Sequence, residues 1–166
     1  PSNIKSINVA ANGKTAGRKP NIITSLELDP AIMEQRNNHL QKKYAEIEAN
    51  EVRYEEINCE DAEYLMVAFG SCARIAQKAM ELARAEGIKV GLLRPITIWP
   101  FPSKAIAERA KQVKGILTVE LNAGQMIEDV RLAVECKVPT EHFGRLGGIV
   151  PDPDEVVSAL KEKLVK

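Results

Sequence analysis

The sequence predicts an α/β protein built on a mostly parallel β-sheet that helices cover on both faces. Three largely apolar segments of strand length, residues 64–69, 88–93 and 115–119, are separated by amphipathic helical segments, and the first of them is apolar without interruption. Uniform hydrophobicity over such a short run is typical of a strand buried on both faces. Strands that alternate with helices about every 25 residues indicate βαβ units with right-handed crossovers.

The N-terminal part of the chain differs from the rest. Residues 1–20 are polar, rich in Asn, Gly, Lys and Ser, and show no sustained period, and we predict an irregular connecting segment over residues 1–28. Asp29 followed by Pro30 is the expected start of a helix, as N-cap and first helical residue. We assign residues 29–50 to a linker helix, although its thin apolar stripe also suits a solvated helix at the domain edge. That stripe consists of Met33, Leu40, Tyr44 and Ile47.

The main domain is predicted to span residues 51–166 and to begin with a short, charged edge strand. The helix after strand 64–69 has an apolar side from Cys72 to Ala83, and Gly87 supplies its C-terminal stop. After strand 88–93 and a proline-rich stretch, Ser103 is predicted to cap a helix that ends near Val113. The edge strand is expected at residues 52–57.

The last third of the domain continues the alternation. A helix follows strand 115–119, then a short strand at residues 138–143 and a glycine-rich turn at residues 144–148. Asp152-Pro153 repeats the Asp-Pro helix start and adds Glu155, which completes a capping box. The inner face of the helix after strand 115–119 is marked by Met126, Ile127, Val130 and Val134.

Composition excludes several classes of function. Lys plus Arg and Asp plus Glu both number 23 in 166 residues, so net charge gives no reason to expect nucleic acid or an anionic membrane as partner. No apolar run approaches the roughly 20 residues that a membrane span needs, and no signal-peptide core is present. The three cysteines, Cys59, Cys72 and Cys136, form no CxxC motif, which disfavours zinc, iron–sulfur clusters and a disulfide framework. We expect a cytoplasmic protein.

Working surfaces of parallel sheets lie at the carboxyl ends of the strands, and three segments of this chain fall there. The first is Gly70-Ser71-Cys72, which joins a strand to a helix N-terminus. Its free N–H groups could bind an anion or lower the pKa of Cys72. A plainer interpretation makes Ser71 the N-cap and Cys72 a small buried residue. A hydrolase is disfavoured, because Ala73 stands where a nucleophile elbow requires glycine.

The second segment, residues 94–102, carries three prolines within eight residues. Proline lacks the backbone N–H, so we predict a stiff, extended connection that cannot continue the sheet. It also carries Trp99, the only tryptophan, and Phe101, both predicted to point outward as interface anchors. Packing of these rings against their own domain is the alternative.

The third segment holds Glu120, Asn122 and Gln125 at the end of a strand. Asn122 could cap the following helix, in which case the set is structural; the alternative is contact with a partner or with a substrate shared with another chain. Arg145, in the turn at residues 144–148, could bind a carboxylate or phosphate or could be a solvated turn residue.

Four motifs together resemble a known family. Residues 67–71, 91–102, 119–126 and 144–148 read VAFGS, GLLRPITIWPFP, VELNAGQM and GRLGG. This set is similar to the alpha subunit of 2-oxoacid:ferredoxin oxidoreductases, in its transketolase C-terminal-like domain, from about residue 24 to residue 166. The resemblance implies a three-layer α/β/α fold with a five-stranded sheet, in which residues 52–57 form the single antiparallel strand.

The resemblance also implies a function. The family decarboxylates a 2-oxoacid with thiamine diphosphate and magnesium, forms an acyl-CoA and passes electrons through iron–sulfur clusters to ferredoxin. None of these cofactors is expected in this chain, since their sites lie in other domains or subunits. The implied partners are the N-terminal domain of the alpha subunit and the beta subunit, with gamma and delta subunits as further candidates, and ferredoxin through the complete enzyme.

The chain itself is therefore predicted to have no catalytic residue and to serve assembly. The alternative is a stand-alone flavodoxin-like module with an anion-binding or regulatory role, which would use Gly70 to Cys72 as its anion site. The candidate interface residues are Arg94, Trp99, Phe101, Glu120, Asn122, Gln125 and Arg145.

Overall fold

The structure, a computed structural model, describes residues 26–165. The chain divides into two units, Pro1–Lys42 and Lys43–Lys166. Helix α1 (Pro30–Asn50) begins in the first unit, where Asp29 Oδ1 accepts from the N–H groups of Ala31 and Ile32 at 2.8 and 3.3 Å. The predicted Asp-Pro helix start is thus observed. The predicted segment 1–28 lies almost wholly outside the described residues, and the linker role of α1 stays a prediction.

The second unit contains the predicted sheet. Its five strands lie in the order β1-β3-β2-β4-β5; β1 runs antiparallel to β3, and all other neighbours are parallel. The fold class is therefore the predicted one, including the antiparallel edge strand. In chain order the elements are β1 (Tyr54–Ile57), β2 (Tyr64–Ala68), α2 (Gly70–Ala85), β3 (Val90–Pro95), α3 (Ser103–Ala110), β4 (Ile116–Glu120), α4 (Met126–Val134), β5 (Thr140–Gly144) and α5 (Pro153–Lys163).

Alternating side chains of the sheet build two hydrophobic layers, one on each face. Met66 and Leu117 lie in the layer that packs on α2 and α5. Leu65 and Ile116, their neighbours in sequence, lie in the layer that packs on α3 and α4. This period of two explains why the strands are apolar throughout, since both faces are covered.

Two helix ends follow the capping chemistry that the sequence predicts. At the end of α2, Gly87 has φ +87° and its N–H bonds to Arg84 O, while Ile88 N–H bonds to Ala83 O, which is a Schellman motif. At the start of α5, Asp152 Oδ1 accepts from Asp154 N and Glu155 Oε2 accepts from Asp152 N, both at 3.0 Å. The predicted capping box is confirmed.

Two other predicted caps are wrong. The N-cap residues of α2 and α3 are Phe69 and Pro102, and neither helix start has a side-chain cap. Ser71 and Ser103 each fall inside the first helical turn, past the position from which a hydroxyl caps the free N–H groups. Helix α3 also ends at Ala110 instead of near Val113, because the chain tightens into i→i−3 bonds there.

The proline-rich stretch does continue the sheet for two residues, contrary to the prediction. Arg94 and Pro95 belong to β3 and pair with Glu55 and Tyr54 of β1. Proline is tolerated because an antiparallel ladder alternates between hydrogen-bonded pairs and pairs without hydrogen bonds, and Pro95 occupies one of the latter. Among residues 26–165, no helix is long and apolar enough to cross a membrane.

Candidate interface at the carboxyl edge of the sheet

The loop between β3 and α3 presents Trp99 to solvent. Its side chain is 54% exposed, and its one ring contact within residues 26–165 is with Tyr44, in the second half of α1. The two ring centroids are 5.6 Å apart and the planes meet at 84°, an edge-to-face arrangement. A large ring held in place yet half-exposed has the geometry of an interface anchor.

Hydrogen bonds through Thr97 fix the shape of this loop. Arg53 N donates to Thr97 Oγ1 at 3.0 Å, and Thr97 Oγ1 donates to Pro100 O at 2.9 Å. The Trp99–Pro100 peptide bond is cis. Phe101, predicted to point outward, is instead partly buried against the α3–α4 hydrophobic layer. The loop is therefore anchored by Phe101 and displays Trp99.

A groove of about 780 Å³ runs beside Trp99. Val52 and Tyr54 of the β1 segment form one wall, and the first turn of α3 forms another. The sequence did not single out these two residues, although their i, i+2 spacing places them on one face of a strand. The lining residues are Glu48, Ala49, Val52, Tyr54, Trp99, Pro100, Phe101, Pro102, Ser103, Lys104 and Ala105. Arg94, at the end of β3, is exposed and pairs with Glu55 at 3.0 Å.

Glu120, at the end of β4, has a role that differs from the predicted surface contact. Its side chain is fully buried. Its Oε2 accepts from Gln125 N at 3.2 Å and from Met126 N at 2.8 Å, and its Oε1 accepts from Ile127 N at 3.1 Å. The carboxylate thus caps helix α4 from the preceding strand and complements the helix dipole. A buried side chain offers nothing for a partner to touch, so Glu120 positions the loop instead.

Asn122 does not cap α4 as predicted. Its Oδ1 accepts from Gly124 N at 2.7 Å, which closes a local turn in which Gly124 has φ +107°. The N-cap position belongs to Gln125, whose side chain is exposed and makes no cap. The turn thus leaves Gln125 on the surface, available for contact, and half-buries Asn122.

Arg145 connects the next loop to both the turn and the last helix. Its backbone N–H donates to Glu120 O at 3.3 Å, and its guanidinium lies 3.2 Å from Glu155 Oε1. Glu120, Asn122, Gln125 and Arg145 therefore converge where β4 and β5 end. Trp99, Phe101 and Arg94 form a separate group, because β2 lies between β3 and β4.

His142 belongs to the first of these groups and was not predicted there. It lies on β5 with Nε2 3.8 Å from Glu120 Oε1, and this nitrogen is buried without a hydrogen-bond partner among the described residues. Only the parallel register, in which Thr118 pairs with His142, places the two side chains together. Sequence alone does not reveal that register.

The start of α2 is a poor site for an anion. Cys72 is 4% exposed, and burial followed by the charge of Glu120 raises the pKa of its thiol. A carboxylate so close opposes any second negative charge. Gly70 has φ +57°, which gives it a conformational role in the tight entry to the helix. These contacts disfavour the anion-binding alternative.

Thiol labelling tests this conclusion. Burial also raises the pKa of Cys59, to about 11, whereas Cys136 is exposed. With iodoacetamide at pH 8 we expect Cys136 to react as an ordinary thiol, and Cys59 and Cys72 to react at least about 100-fold more slowly, since buried thiols stay protonated and inaccessible. In urea all three should react. Native labelling of Cys72 as fast as that of Cys136 would contradict this assignment.

Exposed apolar side chains concentrate in the three loops that leave β3, β4 and β5. These loops hold seven of the fourteen exposed large apolar residues between 26 and 165, and three of the other seven, Tyr44, Val52 and Tyr54, adjoin Trp99 or its groove. Parallel strands end at one edge of a sheet, so the loops share that edge. We call this set the carboxyl-edge surface: Ile96, Ile98, Trp99, Leu121, Leu146, Ile149 and Val150.

The fold identifies the class of protein to which the chain belongs. The chain is an α/β domain of the transketolase type: it superimposes on a split-gene transketolase with a TM-score of 0.58 at 19% identity, over 68% of this chain and 41% of that chain. A 2-oxoglutarate:ferredoxin oxidoreductase from Magnetococcus marinus gives a TM-score of 0.70 at 23% identity, over 82% of this chain and 24% of the other.

The family follows from sequence. The family model described as pyruvate:ferredoxin oxidoreductase core domain II matches residues 62–156, and the chain belongs to this family. It is 49% identical over 142 residues to the ketoisovalerate oxidoreductase subunit VorB of Methanothermobacter thermautotrophicus, which covers 86% of this chain and 40% of the relative. It is 32% identical over 101 residues to the 2-oxoglutarate synthase subunit KorA of Methanothermobacter marburgensis, covering 61% and 27%. The chain thus spans well under half the length of these relatives.

Proposed function

We propose that this chain is the transketolase C-terminal-like domain of the alpha subunit of a 2-oxoacid:ferredoxin oxidoreductase. The observation that carries the proposal is the 49% identity to a ketoisovalerate oxidoreductase subunit across 86% of the chain. The family match over residues 62–156 supports the same assignment. In the complete cytoplasmic enzyme, a 2-oxoacid is oxidatively decarboxylated to an acyl-CoA and its electrons pass to ferredoxin.

The relatives also favour one substrate class. Identity to the ketoisovalerate oxidoreductase subunit is 49%, against 32% for the 2-oxoglutarate synthase subunit. We therefore take a branched-chain 2-oxoacid such as ketoisovalerate as the substrate of the complete enzyme. Its binding residues belong to the parts of such an enzyme that lie outside this domain.

The cofactors of the enzyme do not fit the described residues. Magnesium with thiamine diphosphate, and iron–sulfur clusters, need converging carboxylate or thiolate ligands. Across residues 26–165, no three His, Cys, Asp or Glu side chains come together in this way. We therefore assign thiamine diphosphate, magnesium and the iron–sulfur clusters to the remaining domains and subunits. We assign CoA there from the family resemblance alone, and derive no catalytic step in this chain.

The role we propose for this domain is assembly. The carboxyl-edge surface brings seven exposed large apolar residues to one edge of the sheet. The seven fall into two groups, three on the β3–α3 loop and four on the loops after β4 and β5, and exposed apolar groups of this kind are typical of faces that another polypeptide covers. We propose that the N-terminal part of the alpha subunit and the beta subunit, with gamma or delta subunits as further candidates, pack on it.

Trp99→Ala in the complete enzyme tests this role. Truncating an interface tryptophan commonly costs 2 kcal/mol or more, so we expect the affinity between subunits to fall about 30-fold. The free energy of unfolding of the free alpha subunit should change by less than about 1 kcal/mol, since Trp99 is half-exposed and, in the described part of the chain, its ring contacts only that of Tyr44. Subunit affinity is measured by analytical ultracentrifugation or surface plasmon resonance.

Leu132→Ala is the matched control. Leu132 lies on α4, away from the three loops, and is 77% exposed. Its truncation should leave subunit affinity unchanged. If Trp99→Ala assembles as well as Leu132→Ala and the wild type do, the proposed role of the carboxyl-edge surface is wrong.

A further inference from the structure

The outer edge of β1 has backbone groups that the sheet itself does not use. Strand β1 is the outermost strand of the sheet that residues 26–165 form, where it pairs with β3 on one side only. Tyr54 pairs with Pro95, which has no N–H, so this pair exchanges no hydrogen bonds. Ile96 N donates to Arg53 O at 2.9 Å, which shows that Arg53, and by alternation Glu55, bond inward to β3. Tyr54 and Glu56 must therefore direct their N–H and C=O groups outward.

These two residues leave four backbone groups at the sheet edge. Outside the β1–β3 ladder, no residue between 26 and 165 hydrogen-bonds to the N–H or C=O of Tyr54 or Glu56. An edge with free donors and acceptors is a template for a further strand, and many edge strands are blunted by proline or by a bulge. Strand β1 has neither proline nor a bulge; it is only four residues long and carries two charges, but Glu55 and Glu56 are each paired with an arginine of this domain.

The groove beside Trp99 lies next to this edge. Val52 and Tyr54 belong to the outermost strand segment and form one wall of the groove. A strand added to β1 would alternate its side chains, so every second one would face the side on which the groove lies. The groove walls include Ala49, Phe101 and Ala105, which suit an apolar side chain. Backbone pairing and a side-chain pocket occur here together, as in β-strand addition.

Charge indicates what kind of segment fits. Residues 46–61 contain seven acidic residues and a single basic residue, Arg53. Four of the acids pair with an arginine, namely Glu51, Glu55, Glu56 and Asp61. The other three, Glu46, Glu48 and Glu60, form no ion pair with any residue between 26 and 165. The groove lining itself carries one acid, Glu48, and one cation, Lys104, so the negative charge of this border comes from these three acids of residues 46–61.

We propose that an extended, positively charged segment of a partner subunit adds to β1 as a sixth strand and places an apolar side chain in the groove. The proposal rests on the function proposed above, since it requires a multi-subunit enzyme. A second copy of this chain is a worse occupant, because pairing two β1 edges would bring two acidic segments together. A basic segment instead meets Glu48 at the groove and gains up to four backbone hydrogen bonds at Tyr54 and Glu56.

Amide hydrogen exchange gives the direct test. The complete alpha subunit is measured free and after assembly with its partner subunits, and the amides of Tyr54 and Glu56 are followed. We expect both to exchange fast in the free subunit and at least about 10-fold more slowly in the complex. The amide of Glu55, already bonded to β3, should change little. Equal exchange rates at Tyr54 in the two states, or slow exchange in the free subunit, would overturn the proposal.

A pair of substitutions at one position separates backbone pairing from side-chain contact. Tyr54→Ala and Tyr54→Pro both remove the phenol ring, but only proline removes the outward N–H. The inner ladder does not use that N–H, and edge strands tolerate proline there. We expect Tyr54→Pro to bind the partner subunits at least about five-fold more weakly than Tyr54→Ala, the loss of one hydrogen bond. Equal affinities would overturn the proposal.

Charge reversal keeps the proposal testable if Tyr54→Pro does not fold. Glu48→Lys places a cation in the groove, and Glu162→Lys makes the same change on the exposed side of α5, far along the chain. We expect Glu48→Lys alone to weaken subunit association about five-fold at low salt, with a smaller effect at 0.5 M salt. Three results together would refute the sixth strand and leave the proposed function intact. They are a loss of assembly in Trp99→Ala, normal subunit association in Glu48→Lys, and a Tyr54 amide that exchanges as fast in the complex as in the free subunit.

Discussion

Glu120→Ala is expected to lower the free energy of unfolding by about 4 kcal/mol, one of the two largest effects we predict for this domain. The substitution removes a side chain that is fully buried and accepts three backbone hydrogen bonds, from Gln125, Met126 and Ile127. Met126 and Ile127 are themselves buried, so water cannot replace the carboxylate as the acceptor for their N–H groups. Each buried donor left without an acceptor costs about 1–3 kcal/mol. The free energy is measured by urea unfolding.

Two further variants make this test specific. Glu120→Gln keeps the shape and one acceptor oxygen, so it should cost about half as much as Glu120→Ala. Glu128→Ala removes an exposed acid from the first turn of α4 and loses only its interaction with the helix dipole, less than about 1 kcal/mol. If Glu120→Ala were no more destabilising than Glu128→Ala, the capping role of Glu120 would be wrong.

Glu120 also connects the buried core of this domain with two of its surface loops. Its carboxylate fixes the first turn of α4, and its carbonyl oxygen accepts from Arg145 N. The loops that carry Leu121 and Leu146 are therefore held by the same residue from two sides. A buried group at the end of a strand can thus determine the shape of an interface that it does not touch.

The sequence predicts the sheet and helices well because their signals are local. Apolar runs identify β2, β3 and β4, and the capping box at Asp152 identifies the start of α5. The antiparallel direction of β1 has no local signal, and only the family resemblance predicts it. Where the N-cap lies two residues before the predicted one, as at Ser71, or one residue before it, as at Ser103, a residue type that suits a cap stands at the wrong position.

The site was harder to predict because its contacts are long-range. Rules for capping consider the residues next to the helix start, whereas Glu120 caps from the preceding strand, five to seven residues before its partners. The proximity of His142 to Glu120 depends on strand register, and the contact of Tyr44 with Trp99 joins residues 55 positions apart. Trp99, singled out by its proline neighbours, is the predicted residue whose exposed position the structure matches most directly.

Gly144→Ala is the second substitution with a large expected effect, about 3 kcal/mol of destabilisation. A Cβ at this position would lie 2.3 Å from Asn122 O and 2.6 Å from His142 Cε1. The nearer atom belongs to the backbone, in a turn that Glu120 and Asn122 hold in place. Gly144 in turn pairs with Glu120 in the sheet, so β5 cannot move away without breaking the ladder. Thermal or urea unfolding gives the measurement.

Gly147→Ala is the control, because it separates steric conflict from backbone strain. Gly147 has φ +65° with open space around it, so alanine there should cost only about 1 kcal/mol of conformational strain. A Gly144→Ala variant as stable as Gly147→Ala would contradict the close packing of β5 against the Asn122 turn.

The double variant Gly144→Ala with His142→Ala identifies which neighbour causes the conflict. Removing the imidazole relieves the contact at 2.6 Å but leaves the one with Asn122 O at 2.3 Å. If the backbone turn dominates, the double variant should recover less than about 1 kcal/mol relative to the sum of the two single variants. Full recovery would instead mean that His142 alone sets the limit. In that case the turn that carries Leu121 could adjust to changes in β5, and the carboxyl-edge surface would be less rigid than the hydrogen bonds of Glu120 imply.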